Sequence, residues 1–274
     1  MIPVTHWAAD LPGRPKADQA MRARGTDRAF TLVELLVVVA IIALLLAMLT
    51  PTLSRSRRLA RRAVCTSHLH QIGVGHHTYA SSHNGTWIPT VSGQRQWWTT
   101  SLMRYIGNRG ILFCPEATRM TVAPELGLLM IGGRHTGWFD GRQYPSDPLD
   151  QGSYGQNMWL NHFDLSIQNW SQPKDLHFGG TASSVPFGDL VPVVGECHWV
   201  GGYPRDTDVP WDHEWDQVMY SGHMLNRFTM NRHDGRAGLV FLDGHAGLVR
   251  LADMWGLIWH KNGQPRDVVL PWLE

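Results

Sequence analysis

The chain has 274 residues, enough for one large domain or two small ones. Charged residues make up only 17%, against roughly 25% in an average globular chain, and the formal net charge is +1. That balance excludes a nucleic-acid binder driven by bulk positive charge. A hydrophobic content of 43% excludes an acidic disordered tail, and three cysteines are too few for a disulfide scaffold.

The apolar residues are concentrated near the N-terminus. Leu35 to Leu49 is an unbroken apolar run, and from Phe30 to Leu49 only Thr31 and Glu34 interrupt it. Twenty helical residues span roughly 30 Å, the hydrocarbon thickness of a bilayer. A buried core helix of this length would carry a polar face, and this one has none. A signal peptide would have a shorter apolar region followed by a small-residue cleavage site. Here Thr50-Pro51-Thr52 and then Ser54-Arg55-Ser56-Arg57-Arg58 follow instead. The segment therefore reads as a membrane helix. Glu34 stands out within it. A carboxylate there costs on the order of 2–3 kcal/mol if central and less near an end. It is either a functional group with a partner or a residue at headgroup level.

The stretch Arg28-Ala29-Phe30-Thr31-Leu32-Val33-Glu34-Leu35-Leu36 resembles the type IV prepilin cleavage and methylation motif. The resemblance implies that a prepilin peptidase cuts between Ala29 and Phe30 and methylates the new amino group of Phe30. Ala29 stands where the family usually has Gly. Glu34 becomes the fifth mature residue, and its carboxylate would pair with the N-terminal ammonium of a neighbouring subunit in a filament. Pro51 falls where many pilins carry a helix-kinking proline. Residues 1–29 would be the leader, with Met21 as an alternative start that leaves a short basic leader. Arg22, Arg24 and Arg28 precede the helix, while Arg55, Arg57, Arg58, Arg61 and Arg62 follow it. The positive-inside rule favours the opposite orientation, but the peptidase acts on the cytoplasmic side and the motif takes precedence. The implied partners are the prepilin peptidase, other pilin or pseudopilin subunits, and the inner membrane; no nucleic acid is expected.

Beyond Pro51 the helical pattern continues. Cys65, Leu69, Ile72, His76 and Tyr79 recur at steps of three and four, and Asn84-Gly85 is a stop signal. The spacing predicts one helix over about 31–83: a transmembrane half at 30–50 and an amphipathic half at 51–83. The head would occupy 84–274. The segment from Leu59 to Gly73, with Phe113-Cys114-Pro115 and Ser153-Tyr154-Gly155-Gln156-Asn157, resembles planctomycete-type pilin-like proteins. So does the C-terminal spacing of His233, nine residues and Asp243-Gly244, the H-X9-DG region of that family. With the head outside the cytoplasm, the resemblance points to Cys65 and Cys114 as a disulfide pair, because both lie in these family-like segments. Buried free thiols are the alternative.

In physical terms, Gly238–Leu242 and Leu248–Leu251 are two strands around Asp243-Gly244, a strong hairpin signal. Asp243 and Gly244 are then turn residues. His233 either steadies that hairpin or belongs to a site. Asp206, Asp208, Asp212, Glu214 and Asp216 form an acidic run of the kind that offers oxygen ligands to calcium, but it lacks an EF-hand pattern and contains Pro210, Trp211 and Trp215, so a solvated loop with aromatic anchors is the favoured reading. The 15 histidines invite zinc. Yet His68 with His70, His76-His77, Glu196-Cys197-His198 and His213-Glu214 lack regular ligand spacing. No phosphate-loop, nucleophile-elbow or dinucleotide fingerprint occurs. The 13 tryptophans suit a core, subunit contacts or sugar stacking. The expected fold is α+β and pilin-like: a long N-terminal transmembrane helix packed on an antiparallel β-rich head. The expected function is filament assembly without catalysis or cofactor. The rival is a membrane-anchored exported carbohydrate-binding protein or hydrolase.

Overall fold

In a computed structural model, the described residues are 31–88, 97–117, 129–140, 151–161, 172–179, 181–214 and 222–273. The chain divides into two compact units, Met1–Pro51 and Thr52–Glu274. One α-helix, α1 (Leu32–Ser82), contributes to both.

In the first unit every described residue of α1 is exposed, and no residue of its most apolar stretch is buried. Side chains such as Leu36, Val39, Ile42 and Leu46 point outward all around the helix. Such a surface is unfavourable in water, and the helix is long and apolar enough to cross a membrane. Pro51 lies inside the helix and has no N–H to offer the carbonyl one turn back. Just before it, the Thr50 hydroxyl donates to the Leu46 carbonyl at 2.7 Å.

The second unit begins with the amphipathic half of α1. Cys65, Leu69, Ile72, Gly73, Gly75, His76 and Ala80 are buried along one face at helical spacing. Asn84 and Gly85 adopt φ of 53° and 79° at the stop, and the Gly85 amide closes onto the Ala80 carbonyl at 2.8 Å. A short helix, α2 (Trp98–Ile106), follows and ends at Gly107. Its Leu102 and Ile106 sit against Gly75, where a Cβ would fall 2.7 and 2.8 Å from their side chains.

Among the described residues the head carries two sheets. The smaller is antiparallel: β1 (Leu129–Met130), β2 (Trp138–Asp140) and β3 (Gln151–Gly152) in that order. The larger contains β4 (Tyr154–Asn157), β5 (Pro192–Glu196), β6 (Gly201–Gly202), β7 (Arg236–Phe241) and β8 (Ala246–Arg250), ordered β6-β4-β5-β7-β8. Only β4 with β6 is parallel. The architecture is therefore α+β, with an N-terminal helix on an antiparallel-rich head, consistent with a pilin-like fold.

Strands β5 and β7 are buried on both faces, apart from Arg236 at the start of β7. One face of β7 meets α1, because a Cβ on Gly238 would fall 2.5 Å from Leu69 Cδ1. The other face packs Leu239 toward Gly195 and Phe228. Tryptophans fill much of the remaining core. Trp98, Trp138, Trp159, Trp255 and Trp259 are fully buried. Their indole N–H groups donate to the carbonyls of Val200, Tyr154, Pro204, Asp208 and Met254, respectively, so none buries an unmade donor. Those five are structural pegs and are not available to stack on a sugar.

Candidate functional site

At the N-terminal end, Thr31 and Glu34 form a reciprocal cap on α1. The Thr31 hydroxyl accepts from the Glu34 amide at 3.2 Å, and Glu34 Oε2 accepts from the Thr31 amide at 2.9 Å. This is capping-box geometry, and it places the carboxylate in the first helical turn, where the free amides favour negative charge. Glu34 is exposed at the end of the apolar span and not central to it. Ala29 and Phe30 lie outside the described residues.

The head holds a second constellation that no stretch of sequence announces. Cys65 from α1, Cys114 from the Cys-Pro turn, Glu196 at the end of β5 and His233 before β7 are all buried, and their potential ligand atoms lie within 4.8 Å of one another. His233 Nε2 stands 3.4 Å from Cys114 Sγ and 3.4 Å from Glu196 Oε2. The Tyr154 hydroxyl donates to Cys65 Sγ at 3.3 Å, the Glu116 amide to Cys114 Sγ at 3.4 Å, and the Gly238 amide to Glu196 Oε2 at 2.8 Å. Arg232, wholly buried, places a guanidinium nitrogen 3.6 Å from Glu196 Oε1. It is held there by donating to the carbonyls of Gly133, Arg134, Thr136 and Ser153.

The local chain explains this convergence. Asp234 and Gly235 both adopt left-handed backbone, and the Gly235 amide binds the Asn231 side chain at 2.7 Å. The tight turn points Arg232 and His233 inward together.

The electrostatics follow from burial and pairing. Burial disfavours charge on Glu196, but the hydrogen bond and charge of His233, with Arg232, outweigh it and hold the carboxyl below its usual range. Burial also disfavours a charged His233, yet its contacts with Cys114 and Glu196 raise it to about 10. The Cys114 thiol is pushed up by burial, then by Cys65 and Glu196. Cys65, Cys114 and Cys197 are buried free thiols, and the first two share the cluster.

Asp243 and Gly244 sit at the far end of β7 from His233. They lie in the four-residue loop 242–245, in which Gly244 takes φ 93° and the Gly244 amide binds the Phe241 carbonyl at 3.0 Å. Asp243 Oδ1 accepts from the His245 amide at 3.0 Å. The nine-residue spacing is thus the length of one strand with its flanking turns. His233 serves the buried cluster and does not touch the hairpin loop.

Among the described residues, the acidic run does not gather around a common point. Asp206 pairs with His260 at 3.0 Å and accepts from the Gln264 amide. Asp208 accepts from the amides of Arg205 and Leu225. Asp212 pairs with its neighbour His213, and Glu214 with Arg134 at 3.1 Å. Asp216 lies outside the described residues. Of Glu196-Cys197-His198, only Glu196 enters the buried cluster. Its signal in the sequence was a carboxylate ending an otherwise apolar strand, a costly placement without a partner.

Comparison with known families adds one match: the prokaryotic N-terminal methylation motif, over residues 24–50. The chain carries a type IV pilin-type precursor signal. No curated protein and no solved structure matches it. The pilin-type signal covers the Ala29–Phe30 junction, Glu34 and most of the apolar span, and it ends just before Pro51. The buried cluster and the H-X9-DG spacing lie outside the matched residues.

Proposed function

We propose that this pilin-type precursor is a structural subunit, pilin or pseudopilin, of a type IV pilus or type II secretion filament. Prepilin peptidase cuts between Ala29 and Phe30 and methylates the Phe30 amine. The helix holds the precursor in the inner membrane with the head outside the cytoplasm. On assembly, apolar helices bundle in the filament core and the heads form its surface. The Glu34 carboxylate pairs with the N-terminal ammonium of the neighbouring subunit, an attraction strengthened by the low dielectric of the bundle. The protein's own role is assembly and not catalysis.

The observation that carries this reading is the methylation motif at the head of a helix whose membrane-length apolar stretch is wholly exposed. The capping geometry of Glu34 adds support, because a first-turn carboxylate at the span's edge lies close to the new terminus. Mass spectrometry of membrane-extracted protein tests processing: a mature chain beginning at N-methylated Phe30 is expected, and an intact leader overturns it. Glu34→Ala should abolish incorporation into filaments while leaving the head folded. Normal assembly of that variant would remove Glu34 from the mechanism.

A further inference from the structure

We propose that Cys65, Cys114, Glu196 and His233 form a structural zinc site that ties the head together. The four residues offer two sulfurs, one imidazole nitrogen and one carboxylate oxygen within 4.8 Å of one another. That donor set is borderline-soft and suits Zn²⁺; calcium and magnesium prefer oxygen ligands alone. With Zn–S near 2.3 Å and Zn–N or Zn–O near 2.0 Å, tetrahedral ligands stand roughly 3.3–3.8 Å apart. The two His233 Nε2 contacts, to Cys114 Sγ and Glu196 Oε2, are each 3.4 Å.

The surroundings are those of an anionic ligand shell. Each of the three potential anions receives a donor from outside the group: Tyr154 O–H to Cys65, the Glu116 amide to Cys114, and the Gly238 amide to Glu196. Such contacts orient ligands and lower the cost of their charge. Glu196 Oε2, the oxygen that faces His233, accepts one amide hydrogen bond and keeps a lone pair for a metal, while Oε1 faces the Arg232 guanidinium at 3.6 Å. Charge also balances. Two thiolates and one carboxylate carry three negative charges, matched by Zn²⁺ and the buried Arg232 guanidinium with His233 neutral. Binding displaces two thiol protons and the His233 proton to solvent, because coordinating thiols ionise and the ligating imidazole nitrogen must be bare.

The four ligands come from α1, the Cys-Pro turn, β5 and the turn before β7, and all are sealed from solvent. The metal therefore enters as the head folds. It clamps the amphipathic half of α1 to one strand and two turns, a crosslink suited to a subunit under load. All four ligands lie within the second compact unit, so the site does not depend on how the chain is processed or assembled.

Elemental analysis of the full chain, purified in detergent without chelators, tests the site. About one zinc per chain is expected from four protein ligands. The Cys65→Ser/Cys114→Ser double variant should lose it, and Cys197→Ser should retain it. Because the double variant is buried and can misfold, a second measurement uses the unaltered chain expressed in cobalt-supplemented medium. It should show the visible bands of tetrahedral Co²⁺ with sulfur-to-metal charge transfer. Absence of zinc, zinc retained by the double variant, a cobalt spectrum without thiolate bands, or a Cys65–Cys114 disulfide in the purified protein would each overturn the proposal.

Discussion

Gly73 on α1 faces Val240 on β7 so closely that a Cβ at position 73 would lie 2.6 Å from Val240 Cγ2. The helix can lie this close to the sheet only because residue 73 has no side chain. The neighbouring pair has the opposite arrangement, with Leu69 of α1 filling the space over Gly238. Gly73→Ala gains up to about 1 kcal/mol of helix propensity but forces a stiff, buried valine to move. We expect net destabilisation of about 1–3 kcal/mol by denaturant unfolding. Val240→Ala should partly relieve it, giving a double-mutant coupling that a purely local effect of Gly73 would not produce.

Arg232 and Glu196 form a buried ion pair with both side chains fully enclosed. Replacing Arg232 by Met leaves the carboxylate without its guanidinium and takes one donor from each of four carbonyls. A loss of about 3–5 kcal/mol is expected, since breaking one side of a buried pair is far costlier than losing a surface bridge. Thermal unfolding of the detergent-solubilised chain measures it, and a change under 1 kcal/mol would contradict the pairing.

His76 is completely buried among Trp87 and Trp98, and neither of its ring nitrogens has a hydrogen-bond partner. Burial, with the adjacent His77, lowers it to about 3. The folded state therefore keeps the ring neutral while the unfolded chain takes up a proton below about 6.5. The stability linked to His76 is complete above that pH and falls as the pH drops toward 3. His76→Leu should flatten the loss of melting temperature between pH 6.5 and 4 relative to the unaltered chain. Equal slopes in the two proteins would show that another group carries the acid sensitivity.

Gly244 holds φ 93° in the β7–β8 loop. Gly244→Ala puts a Cβ into left-handed backbone and should cost about 1–2 kcal/mol. Because the loop lies at the other end of β7 from His233, metal content should be unchanged. Zinc loss in this folded variant would mean that the two halves of the H-X9-DG spacing act as one site.

Much of this was legible in the sequence for identifiable reasons. The apolar run from Leu35 to Leu49 needs no partner to be read, because its composition alone makes it unsuited to water. The buried stripe Cys65, Leu69, Ile72 and His76 followed from helical period, and Asp243-Gly244 from turn chemistry. In the acidic run, Asp206, Asp208, Asp212 and Glu214 each take a separate partner, because short spacing in a loop does not aim carboxylates at a common point. The buried cluster was missed for the converse reason. Cys65, Cys114, Glu196 and His233 were each visible, but they are far apart in the chain.

The sequence by itself determined the processing signal, the membrane-length helix, its amphipathic continuation and the final hairpin. These are properties of contiguous residues, governed by local periodicity, backbone preference and hydropathy. Only the tertiary structure decided that a cysteine of that helix meets a second cysteine, a strand-end carboxylate and the H-X9-DG histidine. Such a meeting depends on strand order, on two glycines that let α1 approach the sheet, and on a left-handed turn that points His233 inward, none of which any single segment specifies.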